Sequence, residues 1–232
     1  MLERVDVKIP EAERLRTKVA LVLPALVRSS LRLADHPRIS ELYPEYLFTV
    51  HTVIRASVPL MDAARRQAEE RAGSDAVSAG LAAYLVEHIG EERDHDEWLL
   101  DDLEALGVGR ADVLARPPSP TVAAVVGAQY YWIFHYHPVA LLGYIAVLEG
   151  YPPTTDLIER IRVRTGYPRD AFRTLLQHAE LDPGHREELD VTLDGLPLTE
   201  EQAALIGVNA MHTVQLLSRS LDEIVDLAAV PG

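Results

Sequence analysis

Apolar residues recur every three to four positions through nearly the whole chain, and no stretch alternates apolar with polar as a strand does. In the first periodic stretch, Glu11 to Ala34, the stripe is Leu15, Val19, Leu23, Leu26, Leu31 and Leu33. A second runs from about Ile39 to Arg71, with Pro44 near its start and Pro59 placed to kink it. The third follows the cap-like "GSDAV" and continues to Leu106, where "GVG" stops it. "RPPSPT" is a rigid break, with Ser119 or Thr121 available to cap the next helix. The fourth stretch covers roughly Val122 to Glu149 and is divided at "HYHP"; the fifth is short, Thr155 to Thr165; the sixth starts near Arg169. The seventh follows "PLTEEQ", a capping-box pattern from Thr199 to Gln202, and reaches about Leu227. The linkers are short and there is no repeat. The pattern predicts an all-α, single-domain bundle of about seven helices over residues 1–232.

Charge and composition narrow the partners. The 232 residues carry 36 Asp and Glu against 22 Lys and Arg, a formal net charge of -14 with no compensating basic cluster. That balance disfavours nucleic acid and anionic membranes. The absence of cysteine removes disulfides, thiolate metal sites and a Cys nucleophile. The start, "MLERVDVKIPEAERL", has no apolar run after its first charges and does not read as a secretory signal. The most apolar segment, Thr121 to Leu148, is interrupted by Gly127, Gln129, His135, His137 and Pro138, so it reads as core rather than as a membrane span. A cytoplasmic location is the expectation.

The chemistry lies in two matching stripes. In "LLQHAELDPGHREEL", His178, Asp182 and His185 fall within about 60° of one another on a helix turning about 100° per residue. "YLVEHIGEERDHDEWLL" repeats the offsets with His88, Glu92 and His95. Imidazole combined with carboxylate suits iron, manganese or zinc better than calcium or magnesium. Glu149 adds a third element, because it continues the apolar stripe of Leu142, Ile145 and Ala146. A buried carboxylate without a partner costs several kcal/mol or takes up a proton, and a metal would satisfy it. Glu91, Asp94, Asp96 and Glu97 read instead as a solvated acidic face.

With these residues the chain resembles the heme-oxygenase-like diiron oxidases and oxygenases, whose seven-helix fold is shared with true heme oxygenases, TenA-type thiaminases and the cofactor-free PqqC oxidase. The resemblance covers most of the chain in helix order. It implies a His-x3-Asp-x2-His helix at His178, Asp182 and His185, a middle Glu at Glu149, and a first-helix His at His95. Members of the family place the first-helix Glu one or two turns before that His: Glu92 fits the one-turn version, with Glu91 beside it as the alternative, and His88 occupies the two-turn position, as a seventh ligand or a partner of the ligands. The implied cofactor is two Fe(II) ions, with manganese as a substitute and O2 as co-substrate. The implied function is oxidation of a small carboxylate-bearing metabolite, such as a free amino acid or derivative, by desaturation, N-oxygenation, C–C cleavage or C–N cyclisation. An external electron donor and a homodimer are compatible with it.

Other residues serve rival readings. His51 is the proximal ligand in a heme-binding alternative, and structurally a buried histidine bonded to a backbone carbonyl. Arg55 and Arg173 are candidates to hold a substrate carboxylate. "QYYWIFHYHP" offers Tyr131 among its aromatics as a pocket wall. A PqqC-like reading would have the histidines meet substrate and O2 directly; a metal-binding helical protein is the non-enzymatic reading. TenA-type chemistry needs a Cys that is absent here. Finally, Pro183 and Gly184 weaken the helix beside Asp182, which predicts a kink or bulge there and a segment that metal helps to order.

Overall fold

The computed structural model describes residues 9–228; residues 1–8, on which the expectation about a secretory signal falls, and residues 229–232 lie outside the described part. Ten α-helices form among the described residues, and no strand. They are α1 (Glu11–Ala34), α2 (Ile39–Arg71), α3 (Ala76–Glu91), α4 (His95–Glu104), α5 (Arg110–Ala115), α6 (Pro120–His135), α7 (Leu141–Leu148), α8 (Thr155–Thr165), α9 (Arg173–Gly195) and α10 (Glu200–Leu227). Short 3-10 turns, Pro138–Ala140 and Arg169–Phe172, lead into α7 and α9.

The all-α class matches the periodicity, and the count exceeds seven for local reasons. The third stretch is two helices rather than one: α3 ends at Glu91, and Asp94 takes a left-handed φ of 67° before α4 begins at His95. Such a conformation costs about 1–2 kcal/mol for most side chains and less for Asp. The fourth stretch divides at "HYHP" as its sequence indicates, and α5 is an additional short helix. The capping box at Thr199 and Gln202 forms with both of its hydrogen bonds. α9 does not carry the bulge that was one of the two outcomes expected at Pro183. It continues as α-helix through Pro183 with no π turn, and both Pro183 and Gly184 sit on its exposed side. The missing N–H of Pro183 therefore faces away from the core.

Two adjoining apolar clusters make the interior, one around Leu60, Leu81, Leu85, Leu141 and Leu142, the other around Leu47, Leu99, Leu103 and Phe172. Leu26 of α1 packs against both. α1 pairs along α10, and α2 backs α3, α4 and α6. α7 also lies against α10, so closely that a Cβ on Gly143 would come within 2.3 Å of the Ile206 carbonyl oxygen. Buried Asn209 of α10 ties this corner by donating to Gln129 Oε1 (2.7 Å) and to the Ala140 carbonyl (2.6 Å). α7 is thus held at its N-terminal end, two turns before its C-cap, Glu149. Among the described residues, no helix is long and apolar enough to cross a membrane.

Candidate metal centre

The bend between α3 and α4, the C-terminus of α7 and the middle of α9 meet at a cluster of histidines and acids. His88 lies in the last turn of α3, Glu92 is its C-cap, and His95 is the first residue of α4. The three therefore do not share one helical stripe, yet the bend brings them together. His88, Glu92, His95, Glu149, Asp182 and His185 are all buried, Glu92 at 7% and Glu149 at 9% exposure. His178 is half-buried.

The imidazoles form two pairs on either side of Glu92. His95 and His178 meet edge to face with ring centres 5.1 Å apart; His88 and His185 do the same at 5.3 Å. Glu92 presents one oxygen to each pair: Oε2 is 3.2 Å from His95 Nδ1 and Oε1 is 3.4 Å from His185 Nδ1. Glu149 Oε1 accepts from His88 Nε2 at 2.8 Å, and its Oε2 is 3.9 Å from His185 Nδ1. Asp182 Oδ1 is also 3.9 Å from His185 Nδ1. Two trios, Glu92–His95–His178 and His88–Glu92–Glu149, each gather their ligand atoms within 4.8 Å, and Glu92 belongs to both.

Orientation comes from neighbours. His178 Nδ1 donates to the carbonyl of Thr174 one turn earlier (2.9 Å), which leaves Nε2 as the lone-pair nitrogen. Thr174 N–H in turn donates to Asp102 Oδ2 (3.0 Å), a fully buried carboxylate on α4. Trp98 stacks on His95 with centres 3.9 Å apart, and Tyr84 stacks on His88 at 5.1 Å. Glu91, expected on a solvated face, is 40% exposed but also stands 3.3 Å from His88 Nδ1. None of Thr174, Asp102, Trp98 or Tyr84 was singled out from sequence. Asp102 carried a usable signal, since it lies seven residues after His95 on the same face.

The electrostatics are those of a site short of positive charge. Burial raises the pKa of Asp182 to about 8 and pushes that of Glu149 up as well. Burial works against a charged His88, but its hydrogen bond to Glu149 prevails and holds it at about 9. Glu92 is also opposed by burial, yet the facing His95 keeps it below the usual carboxylate range. Burial lowers His178. Glu92 Oε1, Glu149 Oε2, Asp182 Oδ1, His95 Nδ1 and His185 Nδ1 are all buried without a hydrogen-bond partner. Three buried carboxylates that form no ion pair with Lys or Arg among the described residues, beside unpartnered imidazole nitrogens, suit divalent metal. The residues fit.

The remaining sequence candidates lie apart. His51 is 1% exposed on α2, and neither ring nitrogen has a hydrogen-bond partner, so the expected backbone carbonyl contact is not made. Its charged neighbours are Asp96, Arg55 and Arg110, and burial lowers its pKa. Arg173 is exposed, 3.5 Å from Asp101. Arg55 is exposed on α2. Tyr131 is 53% exposed, with ring contacts to Trp132, His135 and Tyr136 rather than to the cluster.

Fold and cluster together define an all-α protein of the heme-oxygenase-like type with a histidine–carboxylate centre. A domain of unknown function with a heme oxygenase-like fold from Shewanella denitrificans superposes with a TM-score of 0.81 at 20% identity, covering 94% of this chain and 93% of that one. A TenA homolog from Pseudomonas syringae superposes with a TM-score of 0.70 at 13% identity, over 97% of both chains. A CADD-like protein of unknown function from Nostoc punctiforme gives 0.65 at 15% identity, over 95% of this chain and 99% of that one. At these identities the likeness establishes the fold alone. No protein with a curated description matches the sequence. The family model described as iron-containing redox enzyme matches residues 49–218, and the chain belongs to that family. All seven candidate ligands fall inside the matched segment.

Proposed function

We propose that the protein is a nonheme diiron enzyme that uses O2 to oxidise a small carboxylate-bearing metabolite. The observation that carries this reading is Glu92, whose two oxygens face two different histidine pairs. A single-metal site would need one such face; a carboxylate shared by two trios is what two adjacent ions require. The proposed ligands are Glu92, His95 and His178 for one ion, and Glu92, Glu149, Asp182 and His185 for the other. His88 is the seventh member of the set, holding Glu149 Oε1 through Nε2. Membership in an iron-containing redox family supports iron as the metal.

Held by these residues, two ferrous ions would supply the electrons for reducing O2. The chain's own residues do the rest. Three carboxylates would offset three of the four positive charges, and the imidazoles of His95, His178 and His185 would leave positions open for O2 and substrate. Thr174 fixes the ring of His178 through its carbonyl. Trp98 and Tyr84 cover His95 and His88 and keep those faces dry. Burial favours a proton on Asp182, and that proton would have to leave for the carboxylate to hold a metal.

Iron-dependent O2 uptake, measured with a panel of amino acids and short organic acids, tests the reading. Acceleration by at least one of them supports it. Failure of all, together with a Soret band on adding heme that His51→Ala abolishes, would favour the heme-binding alternative; that alternative draws support from the unpartnered nitrogens of buried His51. Substrate-dependent O2 uptake that persists after metal removal would favour the cofactor-free one.

A further inference from the structure

A groove of about 360 Å³ opens on the surface beside the cluster, lined by Glu149, Gly150, Pro152, Pro183, Arg186, Glu187 and Asp190. It reaches a candidate metal ligand directly, since Glu149 is part of its wall. Arg186 is the cation in that wall. It has acidic residues four positions before and after it on α9, the spacing at which helical ion pairs form. Neither pairs with it. Asp182 turns inward to the cluster, and Asp190 is taken by Arg16 of α1. Among the described residues Arg186 makes no hydrogen bond or ion pair, a state it shares with Arg28, Arg55, Arg93 and Arg169, but of these it is the one that lines the groove reaching Glu149.

From this we infer that Arg186 anchors the carboxylate of a short organic acid in the groove that leads to Glu149. A guanidinium binds a carboxylate through two parallel N–H···O bonds, so an unpaired Arg at the entrance is a ready-made receptor for it. Length is limited by the other side of Arg186. It also lines a cleft between α1 and α9, walled by Leu15, Val19, Leu189 and Leu193, with room for only about 20 Å³. That admits about one water, so a long alkyl tail has no space beyond the anchor. The groove itself holds a molecule of several non-hydrogen atoms. Glu187 and Asp190 in the same wall disfavour ligands carrying further negative charge. The inference rests on the diiron reading for its purpose: a carboxylate held at Arg186 places the rest of the molecule toward Glu149.

Saturation-transfer NMR with propionate, propionamide and octanoate tests it on the full chain, both iron-loaded under anaerobic conditions and metal-stripped. Propionate should bind saturably in both forms, propionamide should not, and octanoate should bind no more tightly than propionate. Arg186→Gln should weaken propionate at least tenfold, and Arg186→Lys should weaken it less, since Lys keeps the charge but not the two-pronged geometry. Both variants should retain the wild-type iron content. Propionate affinity unchanged by Arg186→Gln, no saturable binding, or tighter octanoate binding would overturn the assignment. If iron fails to bind while propionate still depends on Arg186, the diiron reading falls and the anchor stands. If iron binds and propionate ignores Arg186, the reverse holds.

Discussion

His185 Nδ1 stands 3.4 Å from Glu92 Oε1, joining the middle of α9 to the bend between α3 and α4. The other oxygen of Glu92 faces His95, so one carboxylate links the two histidine pairs. This makes the acids unequal. Glu92→Ala should abolish iron binding at both positions, whereas Glu149→Ala should remove at least one ion and His178→Ala one. Metal content by mass spectrometry after anaerobic loading would show the order. Full iron content in Glu92→Ala would contradict the shared-ligand role.

Asp102 supports α9 at a cost that depends on pH. Burial raises its pKa from 3.8 to about 6, with its bonds to Thr174 pulling the other way. Above pH 3.8 the unfolded chain gives up this proton while the folded one keeps it, so stability falls as pH rises from about 4 to 6 and then levels. The change is at most on the order of 3 kcal/mol. Asp102→Asn keeps an acceptor for the Thr174 N–H and should flatten that fall in chemical denaturation curves. An unaltered pH profile would show that Asp102 is not the group responsible.

A methyl group on Gly184 would meet nothing within 4 Å. Gly184→Ala should therefore stabilise α9 by about 1 kcal/mol, raising Tm by roughly 2–4 °C. Hydrogen exchange over residues 176–190 should also slow on adding Fe(II) to the wild type, and Gly184→Ala should narrow that difference. Equal protection with and without iron would remove the idea that metal orders this helix.

Gly143→Ala should act in the opposite direction. Its Cβ would press on the Ile206 carbonyl at 2.3 Å and the Ala210 nitrogen at 2.8 Å, backbone atoms that cannot step aside. Separation of α7 from α10 should cost about 1–3 kcal/mol and displace Glu149, lowering iron content. A wild-type melting temperature would show that the two helices adjust freely.

The sequence foretold most of this architecture and one step of the site incorrectly. The outer helices end where their periodicity ends: α1 at Ala34, α2 at Arg71, α10 at Leu227. The break at residues 92–94 was hidden because "GEERDHD" contains no proline and its charged residues suit a helix. The geometric premise that His88, Glu92 and His95 share a stripe was therefore wrong, although tertiary packing brings them to one cluster. Pro183, on the exposed side of α9, gives up a hydrogen bond without ending the helix. Thr174 could not have been found, since its role is a backbone carbonyl with no residue-type signature. Arg186 was hidden for another reason. Its freedom depends on Asp190 choosing Arg16 on a different helix.

The most direct test of the diiron account is an anaerobic Fe(II) titration of the metal-free protein followed by Mössbauer spectroscopy. The account predicts saturation at two irons per chain and, after O2, a diamagnetic spectrum from two coupled ferric ions. Saturation at one iron, or none, or a spectrum of isolated paramagnetic ferric ions, would contradict it.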